Sequence, residues 1–187
     1  MDARQERSHE ALVSAIIPMI AAGPLAEISI TGLVKAAGVT RPTFYKHFPD
    51  IPAIARAAAF ARLATAFPLP VPIPDGHEPT SAEIHARMLD EALPLLEHLQ
   101  AERQFYVRIM DEAGTAGFFE ELIEFTAARI LPGDMRAVSA TPESVPLTTR
   151  FFAAGLTWMA IGWLRKDAGR DPEGMARALA SLVSRIP

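Results

Sequence analysis

The sequence predicts an all-α chain in two helical parts. Apolar residues recur at spacings of three and four through most of its 187 residues, and nothing alternates with period two over a useful length. Glycine and proline fall at the ends of these periodic runs, where helices stop. Pro68, Pro70, Pro72 and Pro74 alternate too closely for any helix, so the segment 68–76 reads as a stiff extended linker between the two parts. A peptide-recognition segment is the alternative there.

A first helix is expected over 2–22, with Leu12, Val13, Ile16, Ile17 and Ile20 as its inner stripe and Gly23-Pro24 as its stop. Pro18 lies inside it. An interior proline costs about 3 kcal/mol and bends a helix, so a kink is expected there. Ser29 is placed to cap a second, short helix by accepting from an orphan N–H of the first turn. Ile30, Leu33, Val34 and Ala37 make the buried stripe of that helix, and Gly38 supplies the positive-φ residue that ends it. Thr40 caps a third helix, whose Phe44 and Phe48 lie one turn apart on the inner side. Two helices joined by a tight glycine turn form a helix-turn-helix, in which the second helix is built to lie in a DNA major groove.

With Phe44 inward, a step of about 100° per residue puts Pro42 and Lys46 near the opposite side. Thr43 and Tyr45 flank them, and Arg41 and His47 sit nearer the core edge. From 28 to 48 the charged residues are Lys35, Arg41 and Lys46, with no acid, in a chain of net charge −4. A mildly acidic chain with a cationic reading head is compatible with specific DNA binding of modest salt dependence. The candidate DNA-binding residues are Ser29, Thr40, Arg41, Pro42, Thr43, Tyr45, Lys46 and His47. Arg41 and Thr43 are the base-reading candidates, because arginine bonds a guanine edge bidentately. Ser29, Tyr45, Lys46 and His47 suit phosphates, which set register without specifying sequence.

The run from Ala36 to Phe48 (Ala-Ala-Gly-Val-Thr-Arg-Pro-Thr-Phe-Tyr-Lys-His-Phe) resembles the signature of the TetR family of bacterial transcriptional regulators. The resemblance covers about 50 residues at the N-terminus well, and the remainder only through length and helical layout. It implies a dimeric, all-helical repressor in which a ligand in the C-terminal domain moves two DNA-reading helices apart. It also implies backbone contacts for Tyr45 and His47. Two positions depart from the pattern. Pro42 stands where glycine is most common, and Ile51 stands where many relatives carry a phosphate-binding lysine, so that contact does not transfer; Arg4 or Arg7 are candidates to supply its charge.

Asp50 and Pro52 then open a helix to about Phe67, with Ile54, Ala58, Ala61 and Leu63 available for packing. By resemblance this helix links the reading head to the regulatory domain. The division expected is 1–50 for the helix-turn-helix domain, 51–67 for the linking helix and 68–187 for a ligand-binding and dimerisation domain. From Ser81, Ile84, Met88, Ala92, Leu95 and Leu96 form a stripe interrupted by Pro94. Phe105, Ile109 and Met110 form another, and a helix beginning at Phe118 stops near Pro132-Gly133. A loop spans 138–147, and the last helices cover 147–168 and 172–186.

Residues 151–164 carry no charge, yet fall short of the roughly 20 apolar residues that span a bilayer. A helix apolar on nearly every side must be buried all round, which in a small domain calls for a partner subunit. Gly155, Trp158 and Gly162 are therefore the candidate homodimer interface, the central helix of a monomer being the alternative. For a small-molecule effector, His85, Met88, Tyr106, Met110, Phe118, Phe119, Leu122 and Trp158 are the candidate lining, although each alone is more often core. Few charges among them suggest a mostly apolar ligand.

No enzyme chemistry emerges. Cysteine is absent, which excludes disulfides, thiolate zinc sites and a cysteine nucleophile. The five histidines never fall at metal-binding helical spacing, so neither metal nor cofactor is expected. The polar N-terminus is no secretory signal, and a cytoplasmic location with no membrane partner is expected. Together these observations read as a ligand-responsive repressor that binds a near-palindromic double-stranded DNA operator as a homodimer. The alternative is a helical small-molecule-binding protein that has lost sequence-specific DNA contact.

Overall fold

The computed structural model describes residues 3–70, 79–130, 141–166 and 171–184. Among these the chain is helical and contains no strand. In chain order the helices are α1 (Ala3–Ala22), α2 (Ile30–Ala37), α3 (Arg41–His47), α4 (Ile51–Ala66), α5 (Ser81–Ala101), α6 (Arg103–Glu112), α7 (Ala116–Ala127), α8 (Val145–Arg165) and α9 (Pro172–Ser184). Contacts gather them into two compact units, residues 1–63 with 102–116, and residues 64–101 with 117–187. No described helix is long and apolar enough to cross a membrane.

In the first unit, Leu12, Val13, Ile16 and Ile20 of α1 are buried, as their spacing requires. α2 and α3 pack on α1, with Leu33 and Phe44 fully enclosed. α4 begins at a true cap, where Asp50 Oδ1 accepts from Ala53 N at 2.8 Å. Its buried residues are Ile51, Ile54, Ala55, Ala58, Ala59 and Leu63. Ala61, expected to pack, is exposed; at about 100° per residue it lies past the edge of the face that Ile51, Ala55 and Ala58 define.

α6 belongs to this unit. Phe105, Tyr106, Ile109 and Met110 are its buried residues. Polar bonds to chain ends reinforce that packing. The Arg108 guanidinium donates to the carbonyl of Ile20 in the last turn of α1, where helix carbonyls run out of intrahelical donors. Glu112 Oε2 accepts from Leu25 N at 2.6 Å, and Arg56 Nη1 donates to Ala113 O at 3.1 Å. Arg62 pairs with Glu102 at 2.6 Å and lies over the Phe105 ring. Burial pushes the Tyr106 hydroxyl pKa well above its usual value, so this phenol stays neutral.

In the second unit α5 packs chiefly against α9. Ile84, Leu96 and Leu99 are buried on α5, and Ala176, Leu179 and Ala180 on α9. Small residues on α9 permit close approach. Met88, Ile130, Val145 and Phe152 close around Ile84. α5 runs unbroken through Pro94, as α1 does through Pro18. α8 starts at Val145, behind a short 3₁₀ turn at Pro142–Ser144, so the loop expected to reach 147 ends earlier. α7 ends at Ala127 and α8 at Arg165, each earlier than the stops expected near Pro132-Gly133 and at 168; the far end expected for α9 lies outside the described residues, as does most of the linker expected at 68–76.

Candidate functional site

The helix-turn-helix is built from local bonds. Ser29 Oγ accepts from Gly32 N at 3.0 Å and caps α2. At its far end Gly38 takes φ 65° and ψ 28°. The N–H of Gly38 donates to Lys35 O at 3.3 Å and that of Val39 to Val34 O at 3.0 Å, the paired bonds of a Schellman stop. Thr40 then caps α3, its Oγ1 accepting from Thr43 N at 3.3 Å. Pro42 sits in the first turn of α3, where its missing N–H costs nothing.

Phe44 is 0% exposed, and this anchor fixes what α3 shows to solvent. Its ring lies 6.2 Å from that of Phe48, which in turn meets His9 of α1 at 5.1 Å. Opposite this anchor, Arg41, Pro42, Tyr45 and Lys46 are exposed. Spacings of one, four and five residues make them one continuous face. Arg41, expected nearer the core edge, is on that face because it is the first helical residue and has no preceding turn to lie against. Its guanidinium sits 5.9 Å from the centre of the Tyr45 ring, a cation–π pair that pre-orients both. Thr43 is half-buried, and its hydroxyl lies 2.8 Å from that of Thr40. His47 is also half-buried, its ring 5.8 Å from that of His9. Ser29 and Thr40 are exposed at the two helix starts.

The second unit holds a cavity of about 110 Å³. Met88, Glu91, Ala92, Leu95 and Leu96 of α5 form one wall and Phe152, Leu156, Thr157 and Ala160 of α8 another. Thr126, Arg129 and Ile130 close it from the end of α7, together with Phe67 and Leu179. Thr126 Oγ1 and Thr157 Oγ1 stand 3.0 Å apart across the two walls. Arg129 is 8% exposed. Its Nε donates to Phe67 O, and its Nη1 to Phe125 O at 2.9 Å.

α8 also carries an apolar stripe that stands exposed among the described residues. Phe151 is 73% and Trp158 66% exposed, and Leu147 stands open beside them. Gly155 and Gly162 share that face, and a Cβ added at either would meet no atom within 4 Å. Ala153, Ile161, Trp163 and Leu164 are the buried side of the same helix.

No protein-family model matches the sequence, and comparison with curated proteins finds no match. Among solved structures, the crystal structure of the TetR family repressor AlkX from Dietzia sp. strain DQ12-45-1b, implicated in biodegradation of n-alkanes, is similar at a TM-score of 0.58. The match covers 94% of this chain and 92% of that one, at 14% identity. The fold is TetR-like.

Within this TetR-like fold, the residues proposed from the sequence separate cleanly. All eight of the DNA-binding candidates gather on α3 and the start of α2. The effector candidates scatter. Of them only Met88 lines the cavity. Tyr106 and Met110 are buried in the first unit, because the stripe of α6 packs there. Phe118 is buried, Phe119 leans on Trp158 with ring centres 6.4 Å apart, and Trp158 points outward. His85 and Leu122 are half-buried and line no part of it. The sequence reading missed Arg129, Thr126 and Thr157. The available signal was a lone cation just past an apolar helix, the position at which a basic residue meets free carbonyls.

Proposed function

We propose that the chain is a ligand-responsive transcriptional repressor of the TetR type, acting in the cytoplasm. Two copies bind a near-palindromic operator through α3, and a small effector in the second unit releases them. The observation that carries this reading is the face of α3. Phe44 is sealed inside while Arg41, Pro42, Tyr45 and Lys46 stand outward together, with no carboxylate anywhere on α2 or α3. An ordinary solvated helix needs neither two capped helices in seven-to-eight-residue lengths nor a Schellman turn between them.

Arg41 and Thr43 are the base readers of this proposal, and Ser29, Thr40, Tyr45, Lys46 and His47 hold the backbone. Pro42 packs its ring on a thymine methyl. Ile51 is only 8% exposed, so no phosphate contact arises at that position. The homodimer reading is supported by the bare stripe of α8, centred on Gly155, Trp158 and Gly162. Burying each large side chain of the stripe would contribute about 1.5–3 kcal/mol. The cavity supports the effector reading, and the effector acts by its differential affinity for two arrangements of the dimer. AlkX is named a repressor, which agrees with this direction of control.

Selection from random DNA by the full chain tests the proposal. The expected product is a near-palindrome whose half-sites lie about 34–36 Å apart, one helical turn of DNA. The buried Ile51 favours one competing reading, a ligand-binding protein without an operator. Selection that enriches no palindrome would establish that competitor.

A further inference from the structure

The cavity of the second unit contains a charge that its apolar walls do not explain. Arg129 is nine-tenths buried, and among the described residues no carboxylate pairs with it. A guanidinium remains cationic in proteins even where desolvation lowers its pKa, as it does here. The Phe125 ring lies 3.4 Å from Cζ and covers one face of the group. Nε and Nη1 are taken by the carbonyls of Phe67 and Phe125. Nη2 has no acceptor among the described residues.

We propose that the cavity takes an amphipathic monoanion, with its carboxylate against Arg129 and its alkyl or aryl body against Met88, Leu95, Phe152 and Leu156. This rests on the cavity being the effector site and replaces a mostly apolar effector with a definite class. A buried cation is costly without a counter-ion, and a carboxylate bonded to a guanidinium is among the strongest polar pairs a protein makes. The hydroxyls of Thr126 and Thr157 offer a second polar point on the same lining. Glu91 also lines the cavity, but it already engages another group. The volume, about 110 Å³, is somewhat below the roughly 150 Å³ that admits benzene. It therefore suits a short body rather than a long acyl chain.

Calorimetric titration of the full chain with butanoate, 1-butanol and butylamine tests the class. Butanoate should bind at least about tenfold more tightly than 1-butanol, and Arg129→Gln should cost it about ten- to a hundredfold while leaving 1-butanol nearly unchanged. Arg129→Gln also removes two structural bonds, so Ala160→Phe provides a second route. It fills the cavity, keeps the arginine and should abolish butanoate binding. Butanoate still bound by Ala160→Phe overturns the proposal. Equal affinity for butanoate and 1-butanol overturns the anionic class but leaves the cavity as an apolar effector site. Tightest binding of butylamine assigns recognition to Glu91 and also overturns it. Binding of none of the three removes the cavity as an effector site altogether, while the DNA selection remains a separate measurement.

Discussion

Gly38 adopts a backbone conformation that costs an L side chain about 1–2 kcal/mol. Gly38→Ala is therefore expected to lower the unfolding free energy by about 1 kcal/mol or more, read as a shifted urea midpoint at unchanged slope. On the outer face of α3, Arg41 and Lys46 should fail differently. Arg41→Ala should cost about 1–3 kcal/mol at one base pair and relax preference there, whereas Lys46→Ala should weaken every sequence alike. Binding to an operator series with single substitutions separates the two, and no change with either variant would remove α3 as the reader. Because the hydroxyl of Thr43 already meets that of Thr40, more of the specificity is expected from Arg41 than from Thr43. Ser29, Gly38 and Thr40 were legible in the sequence because a cap is a bond across three or four residues. Arg129 was not, since its carbonyl partner Phe67 lies 62 residues away.

α8 was recognisable as a helix needing cover on both sides, because a run without charge says so directly. Which side faces its own unit is decided in part by α5, which lies far off in sequence. The open positions at Gly155 and Gly162 now give a sharp expectation. Gly155→Leu leaves the isolated unit unstrained, since its Cβ meets nothing, yet it should obstruct a second helix approaching the stripe. Sedimentation should show a lighter species than wild type, and an unchanged mass would place the interface elsewhere. Neither Pro18 nor Pro94 interrupts its helix. Pro18 and Pro94 are both exposed, so each removes a hydrogen bond on the wet side while the buried stripe holds the helix together.

For the whole molecule, the helical architecture followed from apolar periodicity alone. The membership of α6 in the first unit did not, because its ties to Ile20 and Leu25 span 88 and 87 residues. Few cations serve each reading head, and this bears on salt dependence. Log K for operator binding should fall with log salt by about 0.9 for each phosphate neutralised. With Arg41 and Lys46 as the cations of each α3 face, a shallow slope is expected. Removing Lys46, the phosphate-holding cation of α3, should reduce it by roughly one unit. A slope that stays put after Lys46→Ala would mean that another surface holds the phosphates.

The two tryptophans of α8 stand five residues apart in opposite surroundings. Trp158 is bathed in water, while the indole nitrogen of Trp163 is buried without a hydrogen-bond partner. Excited with ultraviolet light, the first should emit at longer wavelength and be quenched readily by acrylamide. The second should emit in the blue and resist quenching. Concentrating the protein should then recolour and shield only the first, giving this helix a built-in optical gauge of self-association that needs no label.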